Sequence, residues 1–106
     1  MARWQELETA VVKLLNSCNL KYIRIRNYRC FKCGQVQNAE ARGFPDFHVP
    51  ILGLYIECKT GSGRLKQAQK GWFLDIQANR HNYYILLQDN VDSLLQFLEE
   101  AGYIKT

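Results

Sequence analysis

With 106 residues, 47% of them apolar and 23% charged, the chain has the make-up of one globular domain, able to bury roughly 60 to 70% of its unfolded surface. That content excludes intrinsic disorder, leaves no room within the chain for a second domain, and holds no hydrophobic run longer than Tyr83 to Leu87, far too short to span a bilayer. The net charge is +4 and the pI near 9.0, with Lys21, Arg24, Arg26, Arg29, Lys32 and Arg42 set against one acid, Glu40, between residues 20 and 45. Such a stretch suits either a polyanionic partner or a solvated, charge-rich face. Residues 1 to 6 carry no apolar core of signal-peptide type, so a cytoplasmic protein with Cys18, Cys30, Cys33 and Cys58 reduced is expected.

Trp4, Leu7, Val11, Leu14, Leu15 and Cys18 follow one helical stripe and predict a first helix over residues 4 to 18. Leu20 to Asn27 alternates, which predicts a half-buried strand with Ile23 and Ile25 inward and Tyr22, Arg24 and Arg26 on a basic outer face. Residues 28 to 44 show no sustained period and read as a long loop. Asp46 follows a Gly43-Phe44-Pro45 turn, and Glu57 ends the apolar run Leu54-Tyr55-Ile56, so both read as residues of a strand hairpin that turns at Gly53. Beyond the Gly61-Ser62-Gly63 break, Leu65, Ala68, Trp72, Phe73 and Ile76 predict a second helix from Leu65 to about Asn79. Asn82 to Gln88 is a continuous apolar strand, expected inside the sheet, and Asp89-Asn90 introduces a last helix through Leu94, Leu95 and Leu98 that stops at Gly102.

The chemistry is concentrated in Asp46 and in Glu57-Cys58-Lys59. Side chains alternate along a strand, so Glu57 and Lys59 leave one face while Ile56 and Cys58 enter the opposite, buried one. Carboxylate oxygens are the ligands that a hard cation such as Mg²⁺ takes, and a neighbouring Lys can orient a water and offset the charge of a phosphate. A surface ion pair would use the same residues. On the second helix Gln69 falls within the apolar arc, so its amide is expected to face the sheet and reach the strand of Glu57 and Lys59; a cap on a backbone group is the plainer role. On the first helix Glu8 lies beside the apolar stripe and Glu6 is turned to solvent, although acids in a first turn commonly serve the helix dipole.

Together, Gly43-Phe44-Pro45-Asp46, Ile56-Glu57-Cys58-Lys59-Thr60-Gly61 and Gln69-Lys70-Gly71-Trp72, in an α-β-β-β-α-β-α order, resemble the VRR-NUC branch of the PD-(D/E)XK nucleases over nearly the whole chain from Glu8 to about Leu98. The resemblance implies a restriction-endonuclease-like α/β fold, a mixed sheet flanked by helices, and a metal-dependent endodeoxyribonuclease selective for branched DNA such as Holliday junctions. It implies that Asp46 and Glu57 ligate Mg²⁺, or Mn²⁺ in its place, helped by the main-chain carbonyl of Cys58. Lys59 would position the attacking water and steady the phosphate, Gln69 would orient Lys59 or that water, and a helix-one acid, Glu8 in preference to Glu6, would add an outer-sphere metal contact. The resemblance further implies a small stand-alone viral or bacterial protein, in the host cytoplasm if viral, of a kind that often pairs as a homodimer, and Tyr22, Tyr28, Phe31 and Tyr103 are aromatic material for such an interface.

Arg24, Arg26, Arg29, Arg42, Lys66 and Lys70 are the candidate phosphate contacts. The chain departs from the family pattern in Phe44, where a smaller aliphatic residue is more usual before Pro-Asp, and in the loop sequence Cys30-Phe31-Lys32-Cys33-Gly34. Cys30 and Cys33 are half of a zinc site whose other ligands would have to come from Cys18, His48, Cys58 or His81, and two ordinary thiols are preferred over structural zinc. A catalytically inactive nucleic-acid-binding protein of the same fold and an RNA-directed nuclease would share most of these features.

Overall fold

A computed structural model describes residues 4–25 and 42–105 of the chain. The first stripe forms helix α1 (Trp4–Ser17), burying Leu7, Glu8, Val11 and Leu15, and Asn19 turns the chain out of it with a positive φ of 57°. Strand β1 (Ile23–Arg24) is followed by β2 (Phe47–Val49), one turn of 3-10 helix at Pro50–Leu52, and β3 (Leu54–Lys59). Gly53 closes that turn in the left-handed region, φ 59°, where a side chain would be strained. Helix α2 (Gln67–Ala78), strand β4 (Tyr83–Gln88) and helix α3 (Asp92–Glu100) complete the α-β-β-β-α-β-α order. Asn90 Oδ1 accepts the Asp92 N–H at 3.0 Å, satisfying an early donor of α3, and Gly102 follows the helix with φ 86°.

The four strands lie in the order β1-β2-β3-β4, antiparallel except for the parallel pair β3 and β4. A parallel pair needs a crossover rather than a tight turn, and α2 supplies it. One face of the sheet, with Phe47, Val49, Leu54, Ile56, Cys58 and Leu87, packs into a core with Leu7, Val11 and Leu15 of α1 and Leu94 and Leu98 of α3. Helix α2 covers the other face, where Phe73 meets Tyr84 edge-on at 4.9 Å and Trp72 meets Phe44 at 4.9 Å. The fold is therefore the expected α/β arrangement of a mixed sheet between helices. Among the described residues no helix is long and apolar enough to cross a membrane.

Two expectations about the sheet are corrected. The faces of β1 are reversed: Ile23 is 49% exposed, whereas Tyr22 packs on the core against Phe47 and Arg24 lies over the Phe47 ring. Arg24 can turn inward because Glu8 meets it there in a salt bridge, so a charged pair occupies a position the alternation assigns to an apolar side chain. Tyr22 is consequently not spare material for an interface. Strand β4 is not internal but ends the sheet among the described residues, with Tyr83 51% and Leu86 40% exposed. Its apolar run serves two covered faces, α3 on one and α2 on the other, which is a separate matter from hydrogen bonding along both edges.

The turn before β2 depends on Gly43, whose φ is +80° and whose added Cβ would lie 2.6 Å from the backbone carbon of Ala68 in α2. Gly43→Ala should destabilise the protein by at least about 1 kcal/mol, read from its urea midpoint. Gly102→Ala, with φ +86° and open space around it, carries the backbone strain alone and should lose less. Equal losses would mean that the approach of α2 to this turn contributes nothing.

Candidate active site

Register brings the acids together. Phe47 pairs with Ile56 and His48 with Tyr55, so one step before β2 Asp46 stands opposite Glu57, on the face away from the α1–α3 core. Asp46 itself lies just outside the strand. Its carbonyl still accepts the Ile25 N–H at 2.9 Å, and its carboxylate Oδ2 accepts the Cys58 N–H at 2.8 Å. The main chain of Asp46 is thus held by the β1 side while its side chain caps β3. A residue's N–H and C=O leave a strand on the same side, so the Cys58 carbonyl faces the same gap. The Cys58 thiol is buried on the core face as expected, and burial, followed by the charges of Asp46, Glu8 and Glu57, raises its pKa.

Glu57 is 3% exposed, and its Oε1 has no hydrogen-bond partner among the described residues. Burial, then the adjacent Asp46 charge and a hydrogen bond to Asp46, push its carboxyl up to about 9, against a partial offset from Lys59. Burial raises Asp46 too, opposed by hydrogen bonds from Glu57 and the Cys58 N–H and by the Lys59 and Arg24 charges. Two carboxyls held this close cannot both ionise cheaply, so at neutral pH they retain a proton between them unless a cation replaces it.

The other expected members divide. Lys59 leaves β3 on the same face as Glu57, two residues on, and its ammonium forms no ion pair among the described residues. Glu8, 4% exposed, reaches the sheet from α1 and Glu6 does not, which resolves the choice between them in position, with Arg24 as its partner. Gln69 does not reach the strand of Lys59: its Oε1 accepts the Lys66 N–H at 2.7 Å, at the start of its own helix. Because α2 begins at Gln67 rather than Leu65, Gln69 is its third residue, from which a side chain can return to the capping position. Lys66 cannot complete a capping box, since an ammonium accepts no hydrogen bond.

Arg42, Lys66 and Lys70 are exposed beside the N-terminal end of α2. Arg24 is committed to Glu8, and Arg26, Arg29, Cys30, Cys33, Tyr28 and Phe31 lie outside the described residues. One residue of the site face was not singled out in the sequence. Tyr84, hidden in the apolar run of β4, brings a buried hydroxyl to this face without a partner among the described residues. The available signal is chemical, because a tyrosine in a covered strand must still satisfy its O–H.

Among the described residues no group of three or more His, Cys, Asp or Glu side chains is gathered to hold a metal by itself. Mg²⁺ does not require one, since it commonly takes one or two carboxylates and completes its shell with water and substrate oxygens. Asp46 and Glu57 fit that demand: hard oxygen donors, mutually repelling, one with a buried oxygen lacking a partner. Comparison with protein-family models, with curated proteins and with solved structures finds no significant match to this chain.

The carboxyl pair fixes a pH dependence. Glu57 binds its proton more tightly folded than unfolded, so the stability this contributes is fully present below the ordinary value of 4.5 and is lost as pH rises through about 9. Metal-free protein should therefore lose melting temperature across that window, and Glu57→Gln should flatten the decline and melt higher than the parent at pH 9. A parallel decline in Glu57→Gln would place the titrating group elsewhere.

Proposed function

We propose that this chain is a metal-dependent endodeoxyribonuclease of restriction-endonuclease-like architecture, hydrolysing phosphodiester bonds in branched DNA and acting as a homodimer. The observation that carries the reading is the placement of a half-buried Asp46 beside the fully buried Glu57, with Lys59 on the same face. Structural economy gives no reason to crowd two repelling acids together with one of them buried, whereas a site for a divalent cation does.

Asp46 and Glu57, with the Cys58 carbonyl, would hold Mg²⁺ or Mn²⁺. When bound, the cation supplies a water acidic enough to attack at neutral pH and offsets charge on the phosphate. Lys59 would orient that water and steady the scissile phosphate with its ammonium, which forms no ion pair among the described residues. Glu8 would act at one remove, fixing Arg24 and adding negative charge behind Glu57. Arg42, Lys66 and Lys70 would take neighbouring phosphates, with the N-terminal end of α2 assisting. A catalytically inactive binding protein of the same fold would keep those cations yet would have no use for the acid pair. The homodimer is favoured because one such site cuts one strand and because β4 presents an uncharged outer edge with Tyr83 and Leu86 exposed.

Labelled four-way junction, duplex, single-stranded DNA and RNA, incubated with Mg²⁺ or EDTA, test the reading. Junction cleavage should need the metal, and Asp46→Asn and Lys59→Ala should each lose roughly 100-fold or more while retaining DNA binding. Lys59→Ala cutting like the parent would remove the proposed site, and preferential cleavage of RNA would move the substrate class. Light scattering on the same samples decides assembly against a monomer of 12.4 kDa.

Salt separates binding cations from structural ones. Lys66→Gln with Lys70→Gln should flatten the log-log salt dependence of DNA affinity by roughly 0.9 for each duplex phosphate that is no longer neutralised. Arg24→Gln should instead lower the melting temperature and leave the slope nearly unchanged, because its partner is Glu8. The reverse pattern would place the DNA across β1.

A further inference from the structure

Tyr84 of β4 pairs with Tyr55 of β3, so its ring leaves the sheet on the face that carries Glu57, one pleat repeat further along β3. The Phe73 ring of α2 presses edge-on against it and closes that side. Its hydroxyl is shut from solvent, and it and Glu57 Oε1 are the buried side-chain polar atoms without a hydrogen-bond partner among the described residues. Each such orphan forfeits its hydration without a replacement partner, and folded proteins retain few. Here one is a donor and the other an acceptor, on the same face of the sheet. The negative charge of Glu57 and Asp46 also reaches the phenol, adding to burial in holding its proton on.

We propose that Tyr84 is a positioning residue of the candidate metal centre, its hydroxyl and Glu57 Oε1 holding between them one water that borders the divalent cation. The inference rests on the assignment of Asp46 and Glu57 as metal ligands. Outer-shell donors of this kind fix the orientation of a ligating carboxylate, and their removal weakens metal binding by about 10- to 100-fold. The phenol is well suited to the role because it can donate without adding charge to a site that already holds two acids.

Tyr84→Phe removes the hydroxyl and keeps the ring on Phe73. Mn²⁺ binding by titration calorimetry and by electron paramagnetic resonance, on parent, Tyr84→Phe and Glu57→Gln, provides a readout independent of cleavage. Parent and Tyr84→Phe should both bind, Tyr84→Phe about tenfold or more weaker, and Glu57→Gln should bind least. In metal-free melts Tyr84→Phe should keep a melting temperature close to the parent's, since the ring packing is unchanged. Parent-like Mn²⁺ affinity in Tyr84→Phe, with Glu57→Gln deficient, would overturn the role of Tyr84 alone and leave the metal centre standing. Absence of Mn²⁺ binding by the parent would instead overturn the metal centre, and this inference with it.

Discussion

The pairing of β2 with β3 decides what this protein can do. Phe47 opposite Ile56 sets Asp46 opposite Glu57, and side chains alternate with a period of two, so a slip of one residue would send Glu57 into the apolar core and bring Cys58 out to face Asp46. The register is strongly specified because Phe47, Val49, Leu54 and Ile56 are all completely buried on the opposite face. Those apolar contacts also supply the means to hold the two acids together, Glu57 out of water and Asp46 partly so. The acids would move apart, or take up water, if the strands carrying them were free to do so.

A second set of contacts fixes the approach to Asp46. The Trp72 indole N–H donates to the Arg42 carbonyl at 3.0 Å, and Phe44 stands edge-on between Trp72 and Tyr55, 4.9 and 5.9 Å away. Tyr55 in turn stacks on His48 at 4.1 Å. The bulky Phe44 thus has a physical reason to precede Pro45: it fills the space between α2 and the hairpin that a smaller aliphatic side chain would leave open. The turn that delivers Asp46 is held from the side of α2, the same helix that carries the exposed cations Lys66 and Lys70 at its start.

What could be read in the sequence followed from periodicity. The stripe of α1, the hairpin, and the common face of Glu57 and Lys59 all follow from spacing, as does the inward position of Glu8 beside Leu7 and Leu15. Spacing does not say which face of a two-sided pattern is inner, and in β1 the long-range Glu8 partner turned Arg24 inward. Nor does apolarity report an edge: Tyr83 to Leu87 is covered above and below by helices, yet no strand pairs beyond it among the described residues. Gln69 shows the sensitivity to helix boundaries. Two residues fewer at the start of α2 turn an amide expected to reach across to β3 into a cap on its own first turn. Tyr84 was concealed because hydrophobic patterning treats tyrosine as core material and leaves its hydroxyl uncounted.

Charge ties these placements to a substrate. Asp46 and Glu8 both act on Glu57 electrostatically, Lys59 opposes Asp46 and Glu57, and Arg24 opposes Asp46, so full ionisation of these five groups leaves the cluster with one negative charge. A phosphodiester, itself singly negative, would be repelled from such a site, and retaining the shared proton would bring it only to neutrality. A divalent cation between Asp46 and Glu57 would displace that proton and turn the balance to one positive charge, the complement of a single phosphodiester. Under the proposed function the acid pair would act as an electrostatic gate: without a cation the site would have no attraction for its substrate, and with one it would gain attraction at the very carboxylates that otherwise repel each other. Lys59 contributes to both states, lowering the cost of ionising the pair and leaving its ammonium free of any ion pair among the described residues. Arg24, sequestered by Glu8, can shape the field without competing for the phosphate.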